Sequence, residues 1–350
     1  MELETNHTST KILGQITPFI EEKLFPGCIA GCGTSDRRYV ITHGTQDLVD
    51  PISTSDLFDI ASVTKAMLAA LVLKKIPLTE LDQKVSHFIP MEGKYRDLIT
   101  VKDLLIFGVE YGTKSRLSTV TDRQMLIETV TKGDLPSPPG SYRYTNISSM
   151  LLTFFMEARF GRSLETMLQE ELFDPLGMQN TMFAPLDHGI DRRSIVPTEP
   201  KVGRGIVQDE SARLYGPNGA AGLFSCIDDL ITFGQSFLGP KTFLNKKVIK
   251  KMSVSQFKNS ALTFGLGMGL WHQNECDLRC ENGMPLTVLK KNGFSGLHFC
   301  VLPKNNFCFA SFTNVCFSTE RPALEKRDKV SNFNKNLLHT MYEERDKLFQ

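Results

Sequence analysis

Apolar residues at Ile12, Leu13, Ile16, Phe19, Ile20 and Leu24 recur three and four apart, with Lys11, Gln15, Glu21 and Glu22 opposite them. That period predicts an amphipathic helix docked on a core. Cys28 to Gly33 and Arg38 to His43 are short β-prone runs around Thr34, Ser35 and Asp36, which predicts a hairpin. An apolar helix begins near Ala61, within Asp56 to Lys75. From about Leu78 to Leu186 helical spacing dominates, clearest over Ser148 to Arg159 and over Ser163 to Phe173, the latter ending before Pro175. Ser225 to Leu238 reads as one more helix. Leu262 to Trp271, Leu286 to Lys290, Gly296 to Leu302 and Phe307 to Asn314 read as strands, and Asn332 to Tyr342 as a closing amphipathic helix. This order predicts an α/β (α+β) body, an antiparallel sheet flanked by helices with a mostly helical domain inserted. The expected boundaries are 1–77 and 200–350 for the α/β domain and 78–199 for the insertion.

Composition narrows the function classes. A hydrophobic fraction of 41% with 23% charged residues excludes a disordered chain, a collagen-like chain and a coiled-coil rod. Forty basic against 39 acidic residues leave a net charge of +1, so no nucleic-acid or membrane partner is expected on electrostatic grounds. The strongest apolar run, Met67 to Leu73, is flanked by Lys65 and Lys74 and is too short to span a bilayer. The first thirty residues lack a basic start, an apolar centre and a small-residue cleavage site, so a cytoplasmic location is expected. Eight cysteines in 350 residues are too sparse for a disulfide scaffold and read as free thiols. His272, Cys276 and Cys280 sit four apart, but no fourth ligand lies nearby and no C-x-x-C occurs, so no metal is expected.

Candidate chemistry begins at Ser62-Val63-Thr64-Lys65, at the start of the apolar helix. Residues three apart on a helix share a face, so hydroxyl and amine can meet. A serine in the first turn also faces the positive end of the helix dipole, which favours an oxyanion. Alone the signal is weak: Ser255-Gln256-Phe257-Lys258 repeats it in a polar stretch that reads as solvated surface. No G-x-S-x-G, H-E-x-x-H or P-loop is present. The run Gly265, Gly267, Gly269 lacks a following helix and reads as a strand packed near another backbone.

Tyr144-Thr145-Asn146 and Lys291-Asn292-Gly293 follow downstream in that order. With Phe58 to Lys65, Ile99 to Leu105, Pro139 to Asn146, Asp174 to Met178, Gly222 to Ser225 and Asn292 to Pro303, the chain resembles the serine β-lactamase and penicillin-binding-protein family, especially its class C-like esterase and peptidase branch. The resemblance implies a β-lactamase/transpeptidase-like fold without cofactor. It implies Ser62 as nucleophile, Lys65 as its activating partner and Tyr144 as proton shuttle. It further implies Asn146 holding Lys65 and a substrate amide, Lys291 attracting a carboxylate, and the backbone N–H groups of Ser62 and Phe294 as an oxyanion hole. Gly293 completes the third motif.

Three departures bear on substrate choice. Asn292 stands where a threonine is usual, Phe107 to Glu110 where His-Thr-Ser-Gly is frequent, and Asn218 to Ala221 where a histidine is common. The expected function is a serine hydrolase acting through an acyl-enzyme on a small ester, amide or peptide, with weak β-lactamase activity at most. A D-alanyl-D-alanine carboxypeptidase and a catalytically silent scaffold are the alternatives. The sequence leaves the oligomeric state open.

Overall fold

The computed structural model describes residues 7–112, 117, 120–199, 201–257, 264–271, 286–317 and 324–350. Its strands are β1 (Gly27–Gly33), β2 (Arg38–Gly44), β3 (Phe58–Asp59), β4 (Met182–Phe183), β5 (Leu223–Ser225), β6 (Gly269–Trp271), β7 (Val288–Asn292), β8 (His298–Leu302) and β9 (Phe307–Thr313). The helices begin with α1 (His7–Glu21), α2 (Thr64–Lys75), α3 (Val101–Leu105), α4 (Arg123–Thr131), α5 (Asn146–Phe160) and α6 (Leu164–Leu168). They continue with α7 (Asp174–Leu176), α8 (Glu210–Tyr215), α9 (Ile227–Gln235), α10 (Lys246–Met252), α11 (Leu324–Glu343) and α12 (Arg345–Leu348).

A six-stranded antiparallel sheet runs β2-β1-β9-β8-β7-β6, which seats the first hairpin beside the last strand. The hairpin turns where expected, with the Thr34 N–H donating to the Arg37 carbonyl at 2.9 Å. Both faces of the sheet are covered, so its inner strands read as continuous apolar runs rather than alternating ones. In β9, Phe307 and Phe309 join Ile12, Ile16, Phe333 and Leu337 of α1 and α11 on one face. Cys308, Ala310 and Phe312 join Ile227, Leu230 and Ile231 of α9, with α2, on the other. The alternation is the two-residue period of a pleated strand.

A second sheet, β3-β5-β4, brings Phe58–Asp59 beside Leu223–Ser225 just before the turn into α2. Its two- and three-residue strands escaped the sequence reading because they are too short to show a period. Among the described residues the large sheet takes no strand from 78–199. On that ground we propose residues 78–199 as the inserted helical part.

Two elements differ from expectation. The helix from Ser163 does not stop before Pro175: it passes through a π-helical turn, Gln169–Phe173, into α7, which holds Pro175 in its first turn. The expected strand Leu262–Trp271 is regular only at Gly269–Trp271, and residues 262 and 263 lie outside the described residues. The glycines before it serve close packing. Gly267 has φ +78°, and a Cβ there would lie 2.2 Å from the Ala69 Cβ on α2. His272, Cys276, Cys280 and Lys258 also lie outside the described residues.

Candidate active site

Ser62 sits in a 3₁₀ turn, Ala61–Val63, that runs directly into α2. The preceding Ala61 has φ +45°, a left-handed conformation that is strained for a residue with a Cβ. Ser62 is not a helix cap. Its Oγ lies 3.0 Å from Lys65 Nζ, one turn on, and Lys65 is only 2% exposed. The same ammonium donates to Asn146 Oδ1 at 2.9 Å and to the Ala220 carbonyl. Among the described residues no carboxylate pairs with Lys65, so these neutral oxygens hold the buried amine in place.

Tyr144 and Asn146 arrive together because Thr145 is the N-cap of α5, its Oγ1 accepting the Ile147 N–H at 3.3 Å. Lys291 comes from β7, on the face it shares with Leu289, toward α2. It is 5% exposed, and its Nζ sits 4.4, 5.1 and 5.8 Å from the ring centres of Tyr144, Phe107 and Phe264. Lys65 Nζ lies 5.5 Å from the Tyr144 ring. Asn292, one position on, is exposed at the strand end. At Gly293 the strand backbone passes the nucleophile turn so closely that a Cβ would lie 2.9 Å from the Ile60 carbonyl oxygen. Only glycine permits that approach, and Phe294, one position on, lines the same hollow as Ala61 and Ser62.

The charges are arranged to make tyrosinate. Burial pushes the Tyr144 phenol up, but Lys291 foremost and Lys65 next outweigh it, with hydrogen bonding from Ser62 and Lys291, and bring its pKa to about 7. Burial pushes Lys291 down to about 8 against the pull of Tyr144, and Lys65 pushes the same way as burial. The ring of Tyr144 itself is 43% exposed to the cleft.

Two hollows meet at Ser62, Tyr144, Phe294 and Arg327. The larger, about 530 Å³, is bordered by Asn146, Gln208, Asp209 and Glu210. The smaller, about 340 Å³, is bordered by Tyr142, Phe264, Lys290, Lys291 and Asn292. A carbonyl over Ser62 can therefore extend an acyl group into one and a leaving group into the other. All eight residues singled out from the sequence, Ser62, Lys65, Tyr144, Asn146, Lys291, Asn292, Gly293 and Phe294, converge on this cleft. Ser255 does not: its hydroxyl is spent on the Phe257 carbonyl at 3.3 Å.

Over residues 21–330 the sequence matches the family model of the beta-lactamases. The chain belongs to the beta-lactamase family. Among curated members it is similar to a provisionally named D-alanyl-D-alanine carboxypeptidase of Escherichia coli (strain K12), at 27% identity over 63% of this chain and 60% of that protein. It is also similar to the N-acetylmuramyl-L-alanine amidase of Bacillus subtilis (strain 168), at 27% identity over 77% of this chain and 73% of that one. The chain thus spans less than two thirds of the length of the Escherichia coli relative. Among solved structures it shares the fold of EstCE1, a hydrolase with promiscuous acyltransferase activity, at TM-score 0.70 and 19% identity, covering 92% and 98% of the two chains.

Beyond the family motifs, this beta-lactamase-family chain brings in two residues that its sequence did not mark: Asp209 accepts from Asn146 Nδ2 at 2.8 Å, and Arg327 borders both hollows from α11. Phe107, the first residue of one departure from the family pattern, walls in Lys291. Asp209 carried a legible local signal as the N-cap of α8, which says nothing about the cleft. Arg327 carried none. Among the described residues no His, Cys, Asp or Glu cluster could hold a metal ion, and no helix is long and apolar enough to cross a membrane.

Proposed function

We propose that this chain is a serine hydrolase that cleaves small esters or amides through an acyl-enzyme on Ser62. The observation that carries the reading is the contact of a serine hydroxyl with a buried lysine at 3.0 Å, beside a tyrosine whose pKa is brought to about 7. Tyrosinate 144 takes the Ser62 proton as Oγ attacks the substrate carbonyl carbon, and Lys65 keeps the hydroxyl aimed. The oxyanion that forms is met by the backbone N–H groups of Ser62 and Phe294. The intermediate then collapses with breakage of the bond to the leaving group, which receives its proton from Tyr144. Water, deprotonated by the same tyrosinate, attacks the ester carbonyl, and Ser62 leaves with the proton.

The smaller hollow favours one variant of this reading. Lys290, Lys291 and Arg327 border it with the aromatic rings of Tyr142 and Phe264, a wall suited to a leaving group that ends in a carboxylate, as that of a carboxypeptidase does. A scaffold role has less support, because a binding protein has no need to bury an ammonium against a serine hydroxyl. Cys28, Cys32, Cys226, Cys308 and Cys316 are buried thiols outside any disulfide, which supports action in a reducing, cytoplasmic setting.

The test is intact-mass labelling with a fluorophosphonate and a fluorescent penicillin. One adduct at Ser62 that disappears in Ser62→Ala is expected. Equal labelling of that variant, or an adduct on Ser255, refutes the proposal.

A further inference from the structure

Asp59 is a carboxylate that the proposed reaction does not use, and it is 2% exposed. It borders neither hollow of the cleft. Its two oxygens nevertheless hold two pieces of it. Oδ1 accepts the N–H of Ala61 at 2.8 Å, on the strained residue next to Ser62. Oδ2 accepts the N–H of Gln208 at 2.7 Å. The neighbour of Gln208 is Asp209, whose Oδ2 accepts from Asn146 Nδ2 at 2.8 Å. Asn146 Oδ1 in turn accepts from Lys65, which contacts Ser62.

These contacts close a ring. It runs from Ser62 through Lys65, Asn146 and Asp209, along the backbone to Gln208, across Asp59 to Ala61 and back to Ser62. We infer that Asp59 is a positioning residue whose carboxylate locks the nucleophile turn to the segment before α8 that, through Asn146, orients Lys65. The inference rests on Ser62 being the nucleophile.

The lock needs the ionised form. Two backbone N–H groups each require an acceptor oxygen, and protonation turns one of those oxygens into a donor. Burial foremost, helped by Asp209 and opposed by the two N–H bonds and Arg213, brings the pKa of Asp59 to about 6. Cys316, after β9, is a further titratable group whose charge the Asp59 carboxylate reaches. Ser295 touches only its carbonyl oxygen. Below about pH 6 the ring therefore opens at Asp59 while Tyr144 is separately taking up its own proton.

The experiment measures kcat and KM for a neutral p-nitrophenyl ester from pH 5 to 9 in the wild type and in Asp59→Asn. In the wild type, log(kcat/KM) should fall with slope one below about pH 7 and with slope two below about pH 6, while circular dichroism is unchanged. In Asp59→Asn, kcat at pH 8 should fall about tenfold or more with KM within about twofold, since displacement of reacting groups by an ångström costs on that scale. The variant should also keep slope one throughout. A single-proton slope in the wild type overturns the inference, and that measurement needs no variant to fold. So does an unchanged kcat or a retained second proton in Asp59→Asn. Labelling of Ser62→Ala, run alongside, separates failure of this inference from failure of the serine hydrolase reading.

Discussion

Replacing Lys291 by methionine tests whether charge, rather than substrate binding, is what Lys291 contributes to the reaction. The two side chains are close in length, so the aromatic box of Phe107, Tyr144 and Phe264 keeps its filling while losing its cation. Tyr144 titrates at about 7 because Lys291 and, less strongly, Lys65 oppose its burial. At pH 7 about half of the enzyme then carries tyrosinate, against about one part in a thousand for a phenol with an ordinary pKa near 10. If Lys291 supplies about half of that fall, the alkaline limb of Lys291→Met lies near pH 8.5 and the tyrosinate fraction at pH 7 drops to about one in thirty. Activity at pH 7 should fall about 15-fold and recover most of its plateau by about pH 10. The sign is fixed: removing a cation raises the pKa of an acid beside it, so the limb can only move to higher pH.

The assay is kcat/KM for p-nitrophenyl acetate across pH 5.5–10.5, corrected for spontaneous hydrolysis. That ester has no carboxylate, so binding of a substrate anion does not enter. Because Lys291 itself titrates at about 8, the two apparent pKa values belong to the pair. Tyr144→Phe, which keeps the ring packed 4.8 Å from Phe107, is the control and should lose about 100-fold or more with no limb remaining. A Lys291→Met limb that stays near pH 7 while the plateau collapses would refute the electrostatic role. Unchanged turnover in Tyr144→Phe would refute the choice of base.

Three further outcomes are expected. Asn292→Thr restores a hydroxyl at the strand end and should raise the ratio of kcat/KM for a chromogenic cephalosporin over a neutral ester by about 5- to 30-fold, and Arg327→Ala should lower it by a similar factor. If neither change moves the ratio, the basic hollow does not read carboxylates. Gly267→Ala places a Cβ 2.2 Å from Ala69 at φ +78°, and should cost about 1–3 kcal/mol in urea denaturation, with an unchanged midpoint counting against the packing described.

What the sequence determined by itself is what a local period can carry. The pattern from Ile12 to Leu24 dictates α1, although that helix ends at Glu21. The apolar runs at His298–Leu302 and Phe307–Thr313 dictate β8 and β9, because a strand covered on both faces has no polar side to show. The spacing of Ser62 and Lys65 likewise sets their contact, since one turn of helix separates them wherever the helix lies. The family motifs were legible as words in order, and their order named the residues that meet in the cleft.

Tertiary structure alone decided which of two identical local patterns matters. Ser62 and Ser255 both precede a lysine by three positions, but only Ser62 lies where α2, the start of α5 and the end of β7 converge. The lowered pKa of Tyr144 is likewise absent from any local pattern, because it depends on distances to Lys65 and Lys291 from two other elements. Asp59, Gln208 and Asp209 become parts of one hydrogen-bonded ring only because the fold brings the segment before α8 against Asp59 and Asn146. Backbone geometry repeats every two or 3.6 residues and is therefore written in the chain. Electrostatic and hydrogen-bond coupling falls off with distance in space, and the fold alone sets those distances.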